Sequence, residues 1–124
     1  MKKIIIDTNI WVALAERKLE LFEELKRVCD FPFQVVVLEG TLRELKKIQE
    51  EQRSRFKRAA KLALDIIKAK KMEIFPHSVG DVDELLVDYS HGGFLVLTQD
   101  IALKKRLQKP YLTIRQNKYL MLVK

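Results

Sequence analysis

Two short apolar runs that each lead to an aspartate constrain this chain more than any other feature of its sequence. Residues 3–6 are followed directly by Asp7, and residues 94–97 lead through two polar residues to Asp100. Each run has the length of a buried strand, and helical patterns of apolar residues separate the runs. Strands that alternate with helices pair in parallel, because the helix returns the chain to the same end of the sheet. The sequence therefore predicts an α/β fold, with a mainly parallel central sheet covered by helices on both faces.

The remaining segments fit the same alternation. Further strands are predicted over 34–38, 72–75 and 111–114. Helices are predicted over 18–29, from Thr41, over 56–70, from Asp81 to about Gly92, and as a short helix from Asp100. The pattern of 119–123 fits a strand or a helix, so both remain open. No linker or repeat divides the 124 residues, and this length suits one domain, so we expect a single domain over residues 1–124.

Basic residues are concentrated in one part of the chain. The formal net charge is +7, and residues 43–71 contain eleven Lys and Arg against four Asp and Glu, an excess of seven in that segment alone. A basic segment on an otherwise neutral chain is typical of proteins that bind a polyanion. The alternative is a helix whose charged face contacts only water. A smaller basic group, Lys104, Lys105 and Arg106, lies nearer the end of the chain and could extend the same surface.

The composition argues against several classes of protein. No uncharged apolar run approaches the about 18 residues that a membrane span needs. The first residues also lack the apolar stretch of about 7–15 residues that defines a secretory signal. We therefore expect a cytoplasmic protein with no membrane partner. Cys29 is the only cysteine, so neither an internal disulfide nor a thiolate metal site is expected.

Asp7 and Asp100 are the first candidates for a functional site. Both follow strands that we expect to be neighbours, so the carboxylates would lie side by side at one end of the sheet. Each carboxylate would then raise the pKa of the other, and a divalent cation with oxygen ligands would relieve that repulsion. The alternative at each position is a helix N-cap, since aspartate is among the best capping residues.

Two further acids are candidates for the same site. Glu44 lies in the first turn of a helix that follows a strand, although Thr41 and Glu44 together also fit a capping box. In the segment 81–88, Asp83 falls at the border of the apolar helical stripe, whereas Asp81 has the position of a cap. We expect Asp83 to be the ligand, and Asp81 remains an alternative.

The residues that carry these patterns resemble the PIN domain family. The matching pieces are IIIDTNIWVAL, VVLEGTLRELKKI and DELLVDYSHGGFLVLTQDIALKKRL, in the family's order and covering essentially the whole chain. The resemblance implies a three-layer α/β/α sandwich and an acidic site that binds Mg²⁺ or Mn²⁺. It assigns the metal ligands and catalytic acids by position as Asp7, Glu44, Asp83 and Asp100. It also assigns Asn9 and Thr98 as the polar residues that orient these acids or contact metal-bound water.

The resemblance also implies an activity and partners. PIN proteins include VapC-type toxins, which cut RNA until an antitoxin protein blocks them, and nucleases that process RNA precursors. The implied function is therefore a metal-dependent endoribonuclease with an RNA substrate, an antitoxin partner if it is a toxin, and a homodimer as the expected assembly. The alternative is a catalytically inactive PIN domain that binds RNA or protein.

Three other α/β classes do not fit the sequence. A phosphoacceptor receiver domain requires adjacent acids after its first strand, and Asp7 has no acidic neighbour. A haloacid dehalogenase requires an acid at the position of Asn9. A dinucleotide-binding domain requires glycines in its first turn, and residues 7–12 contain none.

Overall fold

The computed structural model describes residues 1–51, 54–77 and 81–124. Its strands are β1 (Lys2–Ile6), β2 (Phe33–Leu38), β3 (Glu73–Phe75), β4 (Leu95–Leu97), β5 (Tyr111–Arg115) and β6 (Tyr119–Val123). Its helices are α1 (Thr8–Glu16), α2 (Leu21–Val28), α3 (Glu39–Glu51), α4 (Ser54–Ala69), α5 (Val82–His91) and α6 (Ile101–Lys104). None of the helices in these ranges is long and apolar enough to span a membrane.

The strands form one sheet in the order β3-β2-β1-β4-β5-β6. β1 to β5 pair in parallel, and β6 pairs antiparallel with β5. The chain moves outward from β1 to β2 and β3, and then returns to the other side of β1 to form β4. Ligand sites in open α/β sheets lie at such a switch point, at the carboxyl ends of the strands. The predicted neighbours, β1 and β4, are confirmed, with Ile5 opposite Val96.

Alternating residues of the central strands supply two separate cores. Ile4 and Ile6 of β1 are fully buried in a cluster that also contains residues of α1, α2, α3 and α4. Ile5 lies in a second cluster, with Leu86 of α5 and Leu103 of α6. Successive side chains of a strand point to opposite faces of the sheet, so a strand that is covered on both faces must be apolar throughout. The three-layer α/β/α sandwich is confirmed.

Three predicted helix starts are wrong. The helix predicted over 56–70 begins at Ser54. The helix predicted over 18–29 begins instead at Leu21, because Lys18 has a left-handed φ of 56°. Lys18 thus lies between α1 and α2. No range is predicted for α1 from the sequence, and only the interpretation of Asp7 as an N-cap implies a helix there. The helix predicted from Thr41 begins at Glu39, directly after β2.

The undecided segment 119–123 is strand β6. Its outer edge is partly covered by α2, where Glu24 accepts a hydrogen bond from the Leu120 amide at 2.8 Å and Arg27 donates to the Leu120 carbonyl at 2.7 Å. Free strand edges invite pairing with other chains, and charged side chains on the edge prevent it. The Glu24–Arg27 pair therefore both fixes β6 and protects this edge at Leu120.

Candidate active site

Asp7 directly follows β1 and is buried, with 8% of its surface exposed. It occupies the N-cap position of α1, but its side chain makes no capping hydrogen bond. Its Oδ2 instead accepts a hydrogen bond from the Thr98 hydroxyl at 2.8 Å. The alternative of a capping carboxylate is therefore wrong at Asp7, and no capping bond accounts for its burial.

The surroundings of Asp7 oppose its negative charge. Burial raises the pKa of Asp7 most, the hydrogen bond from Thr98 acts in the opposite direction, and the charges of Asp83, Glu44 and Asp100 each raise it further. Like charges act this way only over short distances. Four acids that are far apart in the sequence therefore interact around the carboxyl end of β1.

Thr98 connects the ends of β1 and β4. It is fully buried, and its hydroxyl oxygen accepts a hydrogen bond from the Asp100 amide at 3.1 Å while its hydroxyl donates to Asp7. The hydroxyl thus uses its one donor and one of its two acceptor lone pairs. Thr98 therefore fixes the position of the Asp7 carboxylate relative to the backbone of Asp100.

Asp100 is the N-cap of α6, and its Oδ1 accepts a hydrogen bond from the Leu103 amide at 3.1 Å. The interpretation of this residue as a cap is confirmed. Capping does not exclude a second role, because the Oδ2 atom has no hydrogen-bond partner among the described residues. The side chain is exposed, in contrast to that of Asp7.

Glu44 is held by a residue that the sequence reasoning missed. The hydroxyl of Thr8 donates to Glu44 Oε1 at 2.9 Å and lies 3.3 Å from the hydroxyl oxygen of Thr41. The capping box is wrong, because α3 begins at Glu39, so that Thr41 is already inside the helix and Glu44 lies in its second turn, not its first. Thr8 gave no signal of its own in the sequence, since the contact joins the first turn of α1 to α3 across 36 positions.

Asp81 and Asp83 have different surroundings. Asp81 is the exposed N-cap of α5, and its Oδ1 accepts a hydrogen bond from the Asp83 amide at 3.0 Å. Asp83 is half-buried, and burial raises its pKa most, followed by the charges of Asp81 and Asp100, with Arg106 acting in the opposite direction. Of these two acids, only Asp83 also raises the pKa of Asp7.

The remaining site candidate, Asn9, lies in the first turn of α1 and is exposed. Within the described ranges it makes no side-chain hydrogen bond to any of the four acids. Its side chain instead lines a hollow beside Ile48 and Phe56. Thr98, and not Asn9, is therefore the polar residue that contacts Asp7.

The donor chemistry of this cluster fits a hard divalent cation. Asp7, Glu44 and Asp100 each have one carboxylate oxygen held by a hydrogen bond, which leaves the other oxygen without a partner in the described part of the chain. As the side chains stand, no three acids or histidines among the described residues are arranged so that they could hold a metal ion. Glu44 and Asp100 are exposed and Asp83 is half-buried, so these three side chains have room to turn toward the fixed Asp7.

The fold and the acidic cluster together define an α/β/α domain with carboxylates at the switch point of its sheet. Residues 4–117 match the family described as PIN like domain. The chain therefore belongs to the PIN-like domain family, as its sequence motifs predict.

Comparison with solved structures gives a consistent result. The PIN domain endonuclease Utp24 is similar to this chain at 27% sequence identity and a TM-score of 0.76, and the match covers 97% of this chain and 90% of that one. No curated protein matches.

Proposed function

We propose that this protein is an endoribonuclease that uses Mg²⁺ or Mn²⁺ to hydrolyse phosphodiester bonds in RNA. The observation that carries the proposal is the interaction of four carboxylates around the buried Asp7, whose pKa is raised by burial and by the other three. Membership of the PIN-like family and the similarity to an endonuclease support the same reaction.

The metal would be held by Asp7, Asp83 and Asp100, and Glu44 would bind a second ion or orient the attacking water. When bound, such an ion activates water and stabilises the charge that develops on the phosphate. An ion also relieves the repulsion that raises the pKa of Asp7, since a cation favours the ionised carboxylate. The position of Asp83 near Asp7 favours it over Asp81 as the ligand.

The residues around these acids act by positioning them. Thr98 fixes the orientation of Asp7. Its hydrogen bond also opposes the rise in the pKa of Asp7, so that more of the carboxylate is ionised and able to bind a cation. Thr8 fixes Glu44 in the same way, through the bond to Oε1. Hydrogen bonds of this kind to ligands govern metal affinity in other proteins. Asn9, which is exposed beside the site, would contact bound water or substrate.

The proposed substrate is RNA, which the basic residues would bind through its phosphates. Arg106 is less suited than its neighbours, because it donates to Glu84 at 2.8 Å. In the cell, the protein would act in the cytoplasm as a single domain over residues 1–124, as an RNA-processing enzyme or as a VapC-type toxin. Growth arrest on expression, relieved by a protein encoded next to its gene, would identify a toxin with an antitoxin, and light scattering would test for the homodimer.

The proposal is tested by measuring RNA cleavage and Mn²⁺ binding together. Wild-type protein should cleave RNA only with Mg²⁺ or Mn²⁺ present, and Asp7→Asn should lose both cleavage and Mn²⁺ binding. Asp88→Asn is the matched control, because Asp88 is an exposed acid of α5 that does not affect the pKa of Asp7. It should retain both properties.

The alternative function, an inactive PIN domain, gives a different result. Such a protein would bind RNA without cutting it under any metal condition, and Asp7→Asn would then bind RNA as the wild type does. A panel of structured and unstructured RNAs is needed, because a nuclease with a narrow target would cleave only some of them.

A further inference from the structure

The basic segment has two faces with different surroundings. Part of α4 faces outward, where Lys61 pairs with Asp65 at 3.5 Å. Another part faces α1, where Arg55 and Arg58 line a hollow of about 480 Å³ together with Lys18. The cations of the segment are therefore divided between different surfaces, and Arg55 and Arg58 are two that line a hollow.

This cationic hollow is adjacent to a second one that begins at Asn9, two residues along α1 from Asp7. The second hollow, of about 470 Å³, is lined by Asn9, Val12, Ala13, Glu16, Ile48 and Phe56. Glu16 lines both, so the two hollows are neighbours along α1, and we name the surface that they form together the α1–α4 groove. From Asn9 to Glu16 the groove follows α1 for about 10 Å, at 1.5 Å per residue.

The two ends of the groove have different chemistry. The end at Asn9 lies two residues from Asp7 and has an apolar wall that includes Phe56. The other end is cationic, and Arg55 is positioned there by two contacts: its Nε lies 3.3 Å from Glu16, and its guanidinium lies 4.7 Å from the centre of the Phe56 ring. Sites for single-stranded nucleic acid combine a positively charged groove with aromatic side chains on which bases stack. Phe56 is an aromatic residue of this kind beside the cations.

We propose that the α1–α4 groove binds a single-stranded segment of RNA next to the cleaved bond, with Lys18, Arg55 and Arg58 contacting its phosphates. The inference rests on the proposed function for the identity of the polyanion, and it adds the path that the strand takes over the surface of α1 and α4. Glu16 orients Arg55 and keeps the middle of the groove less positive than its outer end.

The test compares two double variants of equal net charge. Lys18→Gln with Arg58→Gln removes two cations from the groove. Lys2→Gln with Lys109→Gln removes two cations from a hollow at the amino ends of the strands, whereas the acids lie at the carboxyl ends. Both are made in the Asp7→Asn protein, and binding of a fluorescent unstructured RNA is measured by anisotropy over a range of salt concentrations.

The groove variant should bind this RNA about tenfold more weakly. Its plot of log K against log salt should also be less steep, by about 1.4, or about 0.7 for each lost phosphate contact on a single strand. The control variant should lose less than about twofold, because distant charges are screened. An equal loss in both variants, no loss in the groove variant, or no RNA binding by the parent protein would overturn the inference. A duplex of the same sequence should show no extra loss in the groove variant, and an equal loss there would overturn the single-stranded assignment.

Failure of this inference is distinguishable from failure of the proposed function. Binding is measured in a protein that does not cut, so a loss of affinity confined to the groove variant stands even if the wild type never cleaves RNA. Conversely, metal-dependent cleavage by the wild type with normal RNA binding by the groove variant would keep the function and reject the groove. Thermal unfolding of both double variants verifies that they fold.

Discussion

Asp7 and Asp100 follow similar apolar strands, and each precedes a helix, yet the fold treats them differently. Asp100 is exposed, and one of its oxygens caps α6 through the Leu103 amide. Asp7 is buried, caps nothing, and accepts its hydrogen bond from Thr98, a residue 91 positions away. The same local pattern thus produces a stabilising cap at one strand end and an electrostatically unfavourable carboxylate at the other.

The difference follows from how far each aspartate lies from its strand. β1 and β4 are both central in the sheet, but Asp7 directly follows β1, whereas two residues separate Asp100 from β4. The acids that raise the pKa of Asp7 come from α3, from α5 and from beyond the end of β4. Burying a charge among like charges costs free energy, and proteins retain such groups mainly where function requires them. An aspartate at a strand end is therefore a stronger candidate for a functional site when its side chain does not cap the helix that follows.

The largest expected effect concerns which other acid belongs with Asp7. Asp83→Asn should reduce metal-dependent RNA cleavage by more than about 100-fold, the upper range for residues that act only through a ligand. Asp81→Asn should change cleavage only a few-fold, because asparagine preserves the cap. The reverse order of effects would place Asp81, and not Asp83, beside Asp7.

The second largest effect is expected from removing the Thr98 hydroxyl, which connects Asp7 to the backbone of Asp100. Thr98→Val should lower Mn²⁺ affinity by about 10–100-fold and the free energy of unfolding by about 1–3 kcal/mol, since it removes the bonds to Asp7 and to the Asp100 amide. Thr113→Val in the adjacent β5 is the matched control, because this buried hydroxyl has no partner among the described residues. It should leave Mn²⁺ affinity unchanged and not lower stability, and equal effects of the two variants would show that Thr98 is only a packing residue.

The third prediction uses the raised pKa of Asp7. In metal-free protein at neutral pH, Asp7→Asn should increase the free energy of unfolding by about 1–2 kcal/mol, because a buried charge among like charges is removed. A raised pKa means that the folded state binds the proton more tightly. Wild-type stability therefore falls as the pH rises from the unfolded value of about 3.9 through the raised folded value. The advantage of the variant should be absent below this window and full above it.

Denaturant unfolding of both proteins across this pH range measures the effect. Asp100→Asn serves as the comparison and should change stability little, since its cap is retained. A loss of stability in Asp7→Asn at neutral pH would show that the buried carboxylate is favourable, contrary to this account.

The smallest effect concerns the cap at Asp100. Asp100→Ala should lower the free energy of unfolding by about 0.5–1 kcal/mol, because the Leu103 amide loses its acceptor, whereas Asp100→Asn retains one. Unfolding of the two variants in the absence of metal separates capping from any contribution to the metal site. If alanine and asparagine behave alike, the carboxylate does not act as a cap.

Much of the fold could be predicted from the sequence, because apolar runs and their spacing report burial directly. The buried strands and the parallel pairing of β1 with β4 followed from such runs. The break between α1 and α2 did not, because it depends on the left-handed backbone of Lys18, which no sequence pattern indicated. The type of the segment 119–123 also remained open, since an edge strand is held by partners such as Glu24 and Arg27 that are distant in the sequence.

The candidate site shows the same limit more sharply. The end of a strand can be located from local sequence, so Asp7 and Asp100 were found readily. Thr8 was missed because its role arises only when α1 and α3 are packed together. The capping box at Thr41 and Glu44 was a misleading local signal, because α3 starts earlier and Glu44 accepts a hydrogen bond from Thr8 instead of capping the helix.

A crystal structure of the wild-type protein grown with Mn²⁺, measured at a wavelength that gives anomalous signal from manganese, would test the proposed metal site at its atoms. We expect an anomalous peak within bonding distance of carboxylate oxygens from both Asp7 and Asp100, with Asp83 or Glu44 turned toward it. A peak elsewhere, or no peak at saturating Mn²⁺ with these two side chains facing apart, would rule the site out.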